Sequence, residues 1–437
     1  MRQFNSRIVR RVAGAAALSL FFFLAIHELA AETPFVTPSF HRISEPIKHT
    51  IDHITQGTKP ENSGSLFPGA TLAGGNPELL KNATAYIDSI MNPANPTFER
   101  LACPNSDYRR YHNLRPTGSP QPTYLFAINL RESIAVLPTL LGSIIETIRF
   151  LGPKYCALSI VEGHSKDGTF EVLNLLRAEI ESLGARYYFQ RSDIDPSTSG
   201  DRIGGLAALR NLALKPLTDS PNDFAPQSTI IFLNDVSLCP EDILELVYQK
   251  QILDADMTCG FDWTYVGQDP TFYDVWIART LAGDSFFEIP PDGNWNSAWN
   301  LFWNAPDDRA RFGAHKPFQV FSCWNGAAVF SATPLIDHNI RFRAPTAAEC
   351  FQGEPQLFCK DLWRAGYHKI AVVPSVNLEY DDEHAAKIKA LKGYVSQWAE
   401  AEAGEPASIT WQAKPPDEVK CMASYATQEW RPWNEGS

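Results

Sequence analysis

The fold is indicated first by an apolar strand that runs directly into an acidic tip, Thr229-Ile-Ile-Phe-Leu-Asn-Asp-Val236. The segment 229–233 has the composition of a buried strand. Ligands of open α/β sheets bind beyond the carboxyl ends of the strands, which is where Asn234 and Asp235 fall. A strand-end acid on its own often only caps the following helix, so its meaning depends on the rest of the chain.

Strands and helices alternate on both sides of this stretch. The predicted strands are 124–129, 156–161, 186–189 and 229–233, and the predicted helices are 134–150, 168–183, 205–214 and 241–253. This rhythm predicts an α/β fold with a doubly wound, mostly parallel sheet covered by helices on both faces. After Asp262 the pattern becomes irregular and rich in aromatic residues until a helix at 355–365 and a strand at 369–373, which predicts an open acceptor-binding half.

The overall charge excludes one class of partner. The chain has 437 residues, with 38 Lys and Arg against 50 Asp and Glu, a formal net charge of −12. A protein that binds the nucleic-acid backbone needs the opposite balance, so no nucleic-acid partner is expected. Any anionic ligand must be held locally, by a metal ion or by a few Arg and Lys side chains.

The N-terminus predicts the compartment. Four arginines precede a stretch of apolar and small residues, a pattern that favours a signal anchor over its alternative, a cleaved signal peptide. Either outcome directs the chain into the secretory pathway. The predicted organisation is a cytoplasmic tail at 1–11, a transmembrane anchor at 12–31, a stem at 32–75, a catalytic head at 76–398 and a peripheral tail at 399–437.

The eight cysteines fit an oxidising compartment. The sequence has no CxxC pair, so a zinc site is not predicted. Cys350 and Cys359 are close enough in sequence for a local bridge, and the alternative for every cysteine is a small buried apolar side chain. Asn82-Ala-Thr84 is an acceptor sequence for N-glycosylation.

The strand ends supply candidates for binding a nucleotide sugar. Glu162 follows the second predicted strand and can accept hydrogen bonds from a base or ribose, with Asp167 in the tight turn beyond it. Arg210, with Arg202 in support, can reach a diphosphate. For each residue the alternative is structural: a helix cap for the acid and a solvated or salt-bridged side chain for the arginines.

Asp235 is the strongest candidate for a metal ligand. Mn²⁺ and Mg²⁺ prefer oxygen ligands and bridge diphosphate oxygens. Asn234 can add a carbonyl oxygen or hold the ribose, whereas Val236 stands where a second acid would complete a two-carboxylate motif. His384 is a candidate for completing the metal site from further along the chain, and its alternative is an exposed histidine.

The second half offers candidates for contacts with sugars and for catalysis. Asp274 and Arg279 flank Trp276, and Asp262 offers the same carboxylate chemistry toward sugar hydroxyls. Glu354 precedes a predicted helix and can orient or deprotonate an acceptor hydroxyl. Trp324 and Asn325 belong to a Trp-Asn-Gly sequence where the glycine permits close approach of a substrate.

Taken in order, these segments resemble the fungal capsule-associated α-1,3-mannosyltransferases, glycosyltransferase family 69. The likeness spans about 86–380 and is carried by Phe232-Leu-Asn-Asp-Val236, Tyr273-Asp-Val-Trp276 with Arg279, Ser322-Cys-Trp-Asn-Gly326, Cys350-Phe-Gln, Glu354-Pro-Gln-Leu357 and Lys360-Asp-Leu-Trp363. Pro355 departs from the family, where a cysteine is expected in many members. That change removes a disulfide partner and leaves every candidate catalytic group in place.

The resemblance implies a type II Golgi membrane protein with a lumenal GT-A-like head. It implies GDP-mannose as donor, a divalent metal ion (Mn²⁺ or Mg²⁺), and retention of the α configuration as mannose is transferred to a mannoside or polysaccharide acceptor. The family shares the Asn-Asp-Val departure from a two-carboxylate motif, so Asp235 stays the expected metal ligand.

Three alternatives remain open at the level of sequence. The chain could be a transferase for another nucleotide sugar, such as UDP-galactose or UDP-xylose. It could be a noncatalytic lumenal subunit that scaffolds a partner transferase in a Golgi enzyme complex. A secreted saccharide-binding protein is the third alternative, and it requires cleavage of the N-terminal segment.

Overall fold

The computed structural model describes residues 75–105, 108–118, 121–198, 200–401 and 408–436. The predicted cytoplasmic tail and anchor, and the stem up to residue 74, lie outside these ranges. Among the helices within them, none has both the length and the apolar character needed to cross a bilayer.

Helices and strands alternate through the first half of the head as the sequence predicts. The helices are α1 Pro77–Met91, α2 Leu137–Leu151, α3 Thr169–Leu183, α4 Arg202–Asp219, α5 Pro240–Ile252, α6 Pro306–Gly313, α7 Thr333–Asp337, α8 Glu354–Arg364, α9 Asp382–Lys392 and α10 Val395–Ala401. The strands are β1 Tyr124–Leu130, β2 Cys156–Glu162, β3 Arg186–Arg191, β4 Thr229–Leu233, β5 Met257–Val266, β6 Asp269–Phe272, β7 Arg279–Thr280, β8 Phe318–Ser322, β9 Ala327–Ser331, β10 Ile370–Leu378, β11 Glu418–Met422 and β12 Gln428–Pro432. Short 3₁₀ helices span Tyr108–Leu114, Pro153–Tyr155 and Pro221–Asp223.

One large sheet organises the head. Its path is β3-β2-β1-β4-β9-β5-β10-β8-β7, and β6 pairs with β5 off this path. The first four strands are mutually parallel, whereas β9 is antiparallel to both of its neighbours, β4 and β5. Because β9 is antiparallel to both of them, β4 and β5 run in the same direction, and their carboxyl ends lie at the same edge of the sheet.

The two faces of the sheet carry separate hydrophobic cores. Along β1, Leu125 and Ala127 belong to one buried cluster, and Phe126 and Ile128 belong to the other, as the two-residue period of a strand requires. Helices α4 and α8 cover the first face, and α1, α2, α3 and α5 cover the second. The predicted α/β layering with helices on both faces is therefore confirmed.

The second half contains more regular structure than its sequence indicates. Four strands, β6 to β9, lie within 269–331, inside the region after Asp262 where an irregular pattern is predicted. Its aromatic residues divide between core and surface: Trp263 and Trp324 are buried, whereas Trp276, Trp299 and Trp303 are exposed. Core packing therefore accounts for some of these aromatic residues, and three tryptophans lie at the surface.

Disulfide bonds join distant segments. They link Cys103 to Cys239, Cys259 to Cys323, and Cys350 to Cys421. A local bridge between Cys350 and Cys359 is wrong, because Cys359 is a free thiol on α8, buried in the core 4.0 Å from the sulfur of Met257.

The C-terminal hairpin, β11 and β12 with their connecting turn, is bound closely to the head. The Cys350–Cys421 disulfide crosses to it, and the ammonium group of Lys360 donates to the carbonyl of Glu435 at 2.8 Å. The acidic, proline-containing segment 399–416 predicts a peripheral tail. The hairpin is held by contacts with residues distant in sequence.

Candidate functional site

The acidic end of β4 lies against a turn that follows β8. The backbone N–H of Asn234 donates to the carbonyl of Gly326 at 2.9 Å, and the indole Nε1 of Trp324 donates to the Asn234 side-chain oxygen at 3.0 Å. The direct contact between Asn234 and Trp324 fixes the orientation of the Asn234 amide.

The turn Trp324-Asn325-Gly326 is held in an uncommon backbone conformation. Asn325 and Gly326 have φ angles of 54° and 79°, in the left-handed region that Asn and Gly tolerate best. The N–H of Asn325 donates to Asp274 Oδ2 at 2.9 Å, and its side-chain amide donates to the Gly260 carbonyl at 3.0 Å. The turn thus joins β4, β5 and the segment that carries Asp274.

Arg210 and Glu354 form a partly buried ion pair beside this turn. Arg210 Nε lies 2.8 Å from Glu354 Oε1, and the two side chains are 12% and 4% exposed. The guanidinium carbon is 4.2 Å from the centroid of the Trp324 ring, which adds a cation–π contact. Residues predicted for diphosphate binding and for acceptor activation therefore share one site, 144 positions apart in sequence.

Asp262 and Asp274 supply two further carboxyl groups. Burial raises the pKa of Asp274 to about 6; nearby Glu354 raises it as well, while the Asn325 amide and Arg210 act in the opposite direction. Burial, and then the charge of Asp274, raise the pKa of Asp262 well above its ordinary range. Tyr380 donates to Asp262 Oδ2 at 2.7 Å, and Asp262 Oδ1 has no partner among the described residues.

Asp235 lies at the rim of this group. Its side chain is exposed, yet desolvation by the surrounding protein raises the pKa of its carboxyl group. Burial raises the pKa of Tyr273, and the nearby charges of Asp262, Asp274 and Asp235 raise it further, while Arg202 lowers it. These four charged residues therefore lie near one tyrosine.

His384 belongs to a second, adjoining cluster. Ligand atoms of Glu379, Asp381 and His384 lie within 4.8 Å of one another. The side chain of Asp381 caps α9 and bonds to the imidazole. A backbone bridge between Ser237 and Glu379 runs antiparallel, so Asp235 and Asp381 fall at the same end of it.

Glu162 and Asp167 bond within their own loop. Glu162 is buried, accepts from the N–H of Ser165 at 2.5 Å and lies 3.3 Å from Arg191 Nε. The two oxygens of Asp167 accept from the N–H groups of Ile134 and Thr169. Their contacts shape the loops after β1 and β2, in line with the capping role that was the alternative for Asp167.

The side chain of Arg279 lies in the core, although the sequence predicts that it contacts sugar hydroxyls. Its side chain is buried, and the guanidinium donates to the carbonyls of Val275, Ala278 and Lys420 at 2.7–3.0 Å. Burial lowers its pKa to about 10. Arg279 therefore holds the backbone of the segment that carries Asp274, through donors that point into the protein.

Two charged pairs at neighbouring strand ends were not predicted. Arg131, directly after β1, pairs with Asp195 at 2.8 Å, and His164, after β2, lies 2.5 Å from Asp193. The strand-end rule that singled out Asp235 applies equally to these loops. Tyr380 was also missed, and the sequence carries no comparable signal for it, because its role comes from the fold bringing β10 beside β5.

Sequence comparison identifies the family. A profile described as Cryptococcal mannosyltransferase 1 matches residues 123–361. Alpha-1,3-mannosyltransferase CMT1 of Cryptococcus neoformans var. neoformans is 33% identical over 386 residues, covering 82% of this chain and 81% of the relative. The chain belongs to the Cryptococcal mannosyltransferase 1 family. The resemblance drawn from the ordered sequence strings is confirmed, and so is the prediction of a glycosyltransferase. The profile match includes Asn234 to Glu354 and ends before His384.

Solved structures give distant likenesses. Staphylococcus aureus TarS in complex with UDP-GlcNAc is 14% identical, with 59% of this chain and 58% of that chain covered and a TM-score of 0.34. The mannosyltransferase PcManGT from Pyrobaculum calidifontis, in complex with GDP-Man and Mn²⁺, is 14% identical, with 76% of each chain covered and a TM-score of 0.35. At these TM-scores the likenesses carry no argument about individual residues.

Replacing Gly326 by Ala tests the turn. The alanine Cβ would lie 3.2 Å from Val236 and 3.3 Å from Asp262, at a φ of +79°. We expect the variant to lose on the order of 2–3 kcal/mol in free energy of unfolding, from conformational strain plus crowding. Gly366→Ala is the matched control, since Gly366 has a φ of +88° and no described neighbour within 4 Å of the added carbon. Equal losses in urea unfolding would mean that packing around the turn is unimportant.

Replacing Asp274 by Asn tests the raised pKa. Because the folded-state pKa of about 6 lies above the ordinary aspartic acid value of 3.8, the folded protein binds this proton more tightly than the unfolded chain does. The stabilisation is present below about pH 4 and is lost as the pH rises through about 6, about 3 kcal/mol in all. Asn cannot ionise, so Asp274→Asn should lack this loss.

The measurement is urea unfolding at pH 4 and pH 7 with a metal chelator present. Asp254→Asn serves as control, because that carboxyl side chain is 89% exposed. An unchanged pH dependence in Asp274→Asn would refute the assignment.

Proposed function

We propose that this protein is a retaining α-1,3-mannosyltransferase that moves mannose from GDP-mannose to a mannoside or polysaccharide acceptor, on a GT-A-like head. One observation carries the proposal: the Trp324-Asn325-Gly326 turn gathers Asn234, Arg210, Glu354, Asp262 and Asp274 into one polar site. The 33% identity with an alpha-1,3-mannosyltransferase over 82% of the chain supports mannose as the transferred sugar and α-1,3 as the linkage.

The residues at the site suit a divalent cation. Asp235 presents an accessible carboxylate, and the adjoining Glu379, Asp381 and His384 offer oxygen and imidazole donors within 4.8 Å of one another, a set that fits Mn²⁺ or Mg²⁺. We assign Asp235 as the principal ligand, with His384 as a further one. The bound ion would neutralise the diphosphate that leaves when the sugar is transferred.

Further charged side chains are assigned to the donor and to the acceptor. Arg202, in the first turn of α4, is assigned to the diphosphate, and the Glu162 loop to the nucleoside. Asp274, with a pKa of about 6, carries negative charge at neutral pH where the sugar ring becomes positive as its bond to phosphate breaks. Asp262 is assigned to a sugar hydroxyl. Glu354, held by Arg210, orients the acceptor hydroxyl. Retention is compatible with same-face attack within an ion pair and with a covalent intermediate.

We further propose that the head lies in the Golgi lumen, attached to the membrane as a type II protein. Three disulfide bonds among the described residues support an oxidising compartment. The proposed anchor at 12–31 lies outside the described residues, and its support is the sequence pattern alone. Association with other Golgi enzymes is part of the same proposal.

Calorimetric titration with GDP and UDP, each with and without Mn²⁺, tests the donor site. We expect the protein to bind GDP in a Mn²⁺-dependent manner and Asp235→Ala to weaken that binding on the order of 100-fold, because a charged partner of the ion is lost. Asp254→Ala, which removes an 89% exposed carboxylate just before β5, should bind like the wild type.

Three results would count against the assignment. Unchanged Mn²⁺-dependent GDP binding by Asp235→Ala would exclude Asp235 as the metal ligand. Tighter binding of UDP than of GDP would replace the donor. Binding of neither nucleotide would favour a noncatalytic subunit that scaffolds a partner enzyme.

A further inference from the structure

The C-terminal hairpin packs against the segment that carries Asp274. The rings of Trp276 and Tyr425 form a tilted stack, with centroids 4.6 Å apart and an angle of 32° between their planes. Tyr425 lies in the turn between β11 and β12, whereas Trp276 follows Asp274 by two residues. A segment far along the chain thus reaches the surface beside the carboxyl cluster.

The buried side chain of Arg279 bonds to both the Asp274 segment and the C-terminal hairpin. Its guanidinium donates to the carbonyls of Val275 and Ala278 in the Asp274 segment, and to the carbonyl of Lys420 in the hairpin. The ammonium group of Lys420 in turn lies 3.2 Å from Asp284 Oδ1. These buried charge-assisted bonds hold the hairpin and the Asp274 segment in one fixed arrangement.

The same segment also contacts the loop that precedes Glu354. A Cβ on Gly353 would lie 2.4 Å from Ile277 Cδ1, so a larger residue there would require the end of the Ile277 side chain to shift. The Cys350–Cys421 disulfide ties this loop to the hairpin. Glu354, Asp274 and the Trp276–Tyr425 stack are therefore positioned by one connected unit.

The stack has the chemistry of a saccharide platform. Trp276 is 38% exposed although Tyr425 lies against it. A backbone bond from Ala278 N to Asp274 O at 3.1 Å closes the turn, which keeps Trp276 within one turn of Asp274. Aromatic rings pack on the apolar C–H face of a sugar, while carboxylates nearby accept its hydroxyl groups.

We propose that the Trp276–Tyr425 stack, built in part by the C-terminal hairpin, binds the saccharide acceptor next to Asp274 and Glu354. The proposal rests on the function proposed above and adds the acceptor subsite to it. The ligand class is a neutral oligosaccharide whose acceptor sugar lies against the indole. Arg279 is a positioning residue of this subsite.

Steady-state kinetics with an α-linked mannobiose as acceptor tests the proposal. The variants are Trp276→Ala and Tyr425→Ala, with Tyr425→Phe as the conservative replacement. We expect each Ala variant to raise the acceptor KM about tenfold, the equivalent of one lost aromatic contact. The KM for GDP-mannose and its hydrolysis without acceptor should stay at the wild-type level, which also shows that the variants are folded.

Trp411→Ala is the matched control. The Trp411 indole donates to the carbonyl of Leu253 at 3.1 Å, before β5 and at the opposite edge of the sheet from the proposed site. Its acceptor KM should equal that of the wild type, and Tyr425→Phe should stay within about threefold of the wild type because it keeps the ring.

Each outcome bears on a different claim. Wild-type acceptor KM values in both Ala variants would overturn the acceptor subsite and leave the proposed function standing. An equal rise in donor KM and acceptor KM would also overturn it, because the stack would then support the whole site. Absence of both hydrolysis and transfer in the wild type would overturn the proposed function, and the subsite with it.

Discussion

The backbone of the Trp324-Asn325-Gly326 turn is the constraint on which the site depends. Two consecutive left-handed residues direct the Asn325 N–H toward Asp274 and its side-chain amide toward Gly260, while the Gly326 carbonyl receives the N–H of Asn234. Each bond satisfies a polar group that would otherwise be unpaired, which would cost about 1–3 kcal/mol. Three segments far apart in sequence are thereby fixed against one another.

This arrangement brings carboxyl groups together in a buried place. Asp262, Asp274 and Glu354 lie in one buried region, and Arg210 offsets part of their repulsion while resting on the Trp324 ring. Burying carboxylates is unfavourable unless a cation compensates for them. Such a site is suited to receive positive charge, either as a divalent ion at its rim or on a sugar ring as its bond to phosphate breaks.

The sequence predicts the first half of the fold better than the second. Strands such as Thr229–Leu233 show an apolar run bounded by turns, and their carboxyl ends locate Asn234 and Asp235 without any contact information. Strand β9 is inserted antiparallel between β4 and β5, which local patterns do not reveal, because the partners are about 70–100 residues away. For the same reason the burial of Arg279, the Cys350–Cys421 bridge and the role of the hairpin required the structure, since each depends on long-range contacts.

The most direct test of the central claim is the chemical identity of a transfer product. The protein would be incubated with GDP-mannose, Mn²⁺ and an α-mannoside acceptor, and the purified product would be analysed by NMR for anomeric configuration and linkage. The account predicts a single added mannose, α-configured and joined to O3 of the acceptor. A β-configured product, a different linkage, or transfer only from a uridine diphosphate sugar would contradict it.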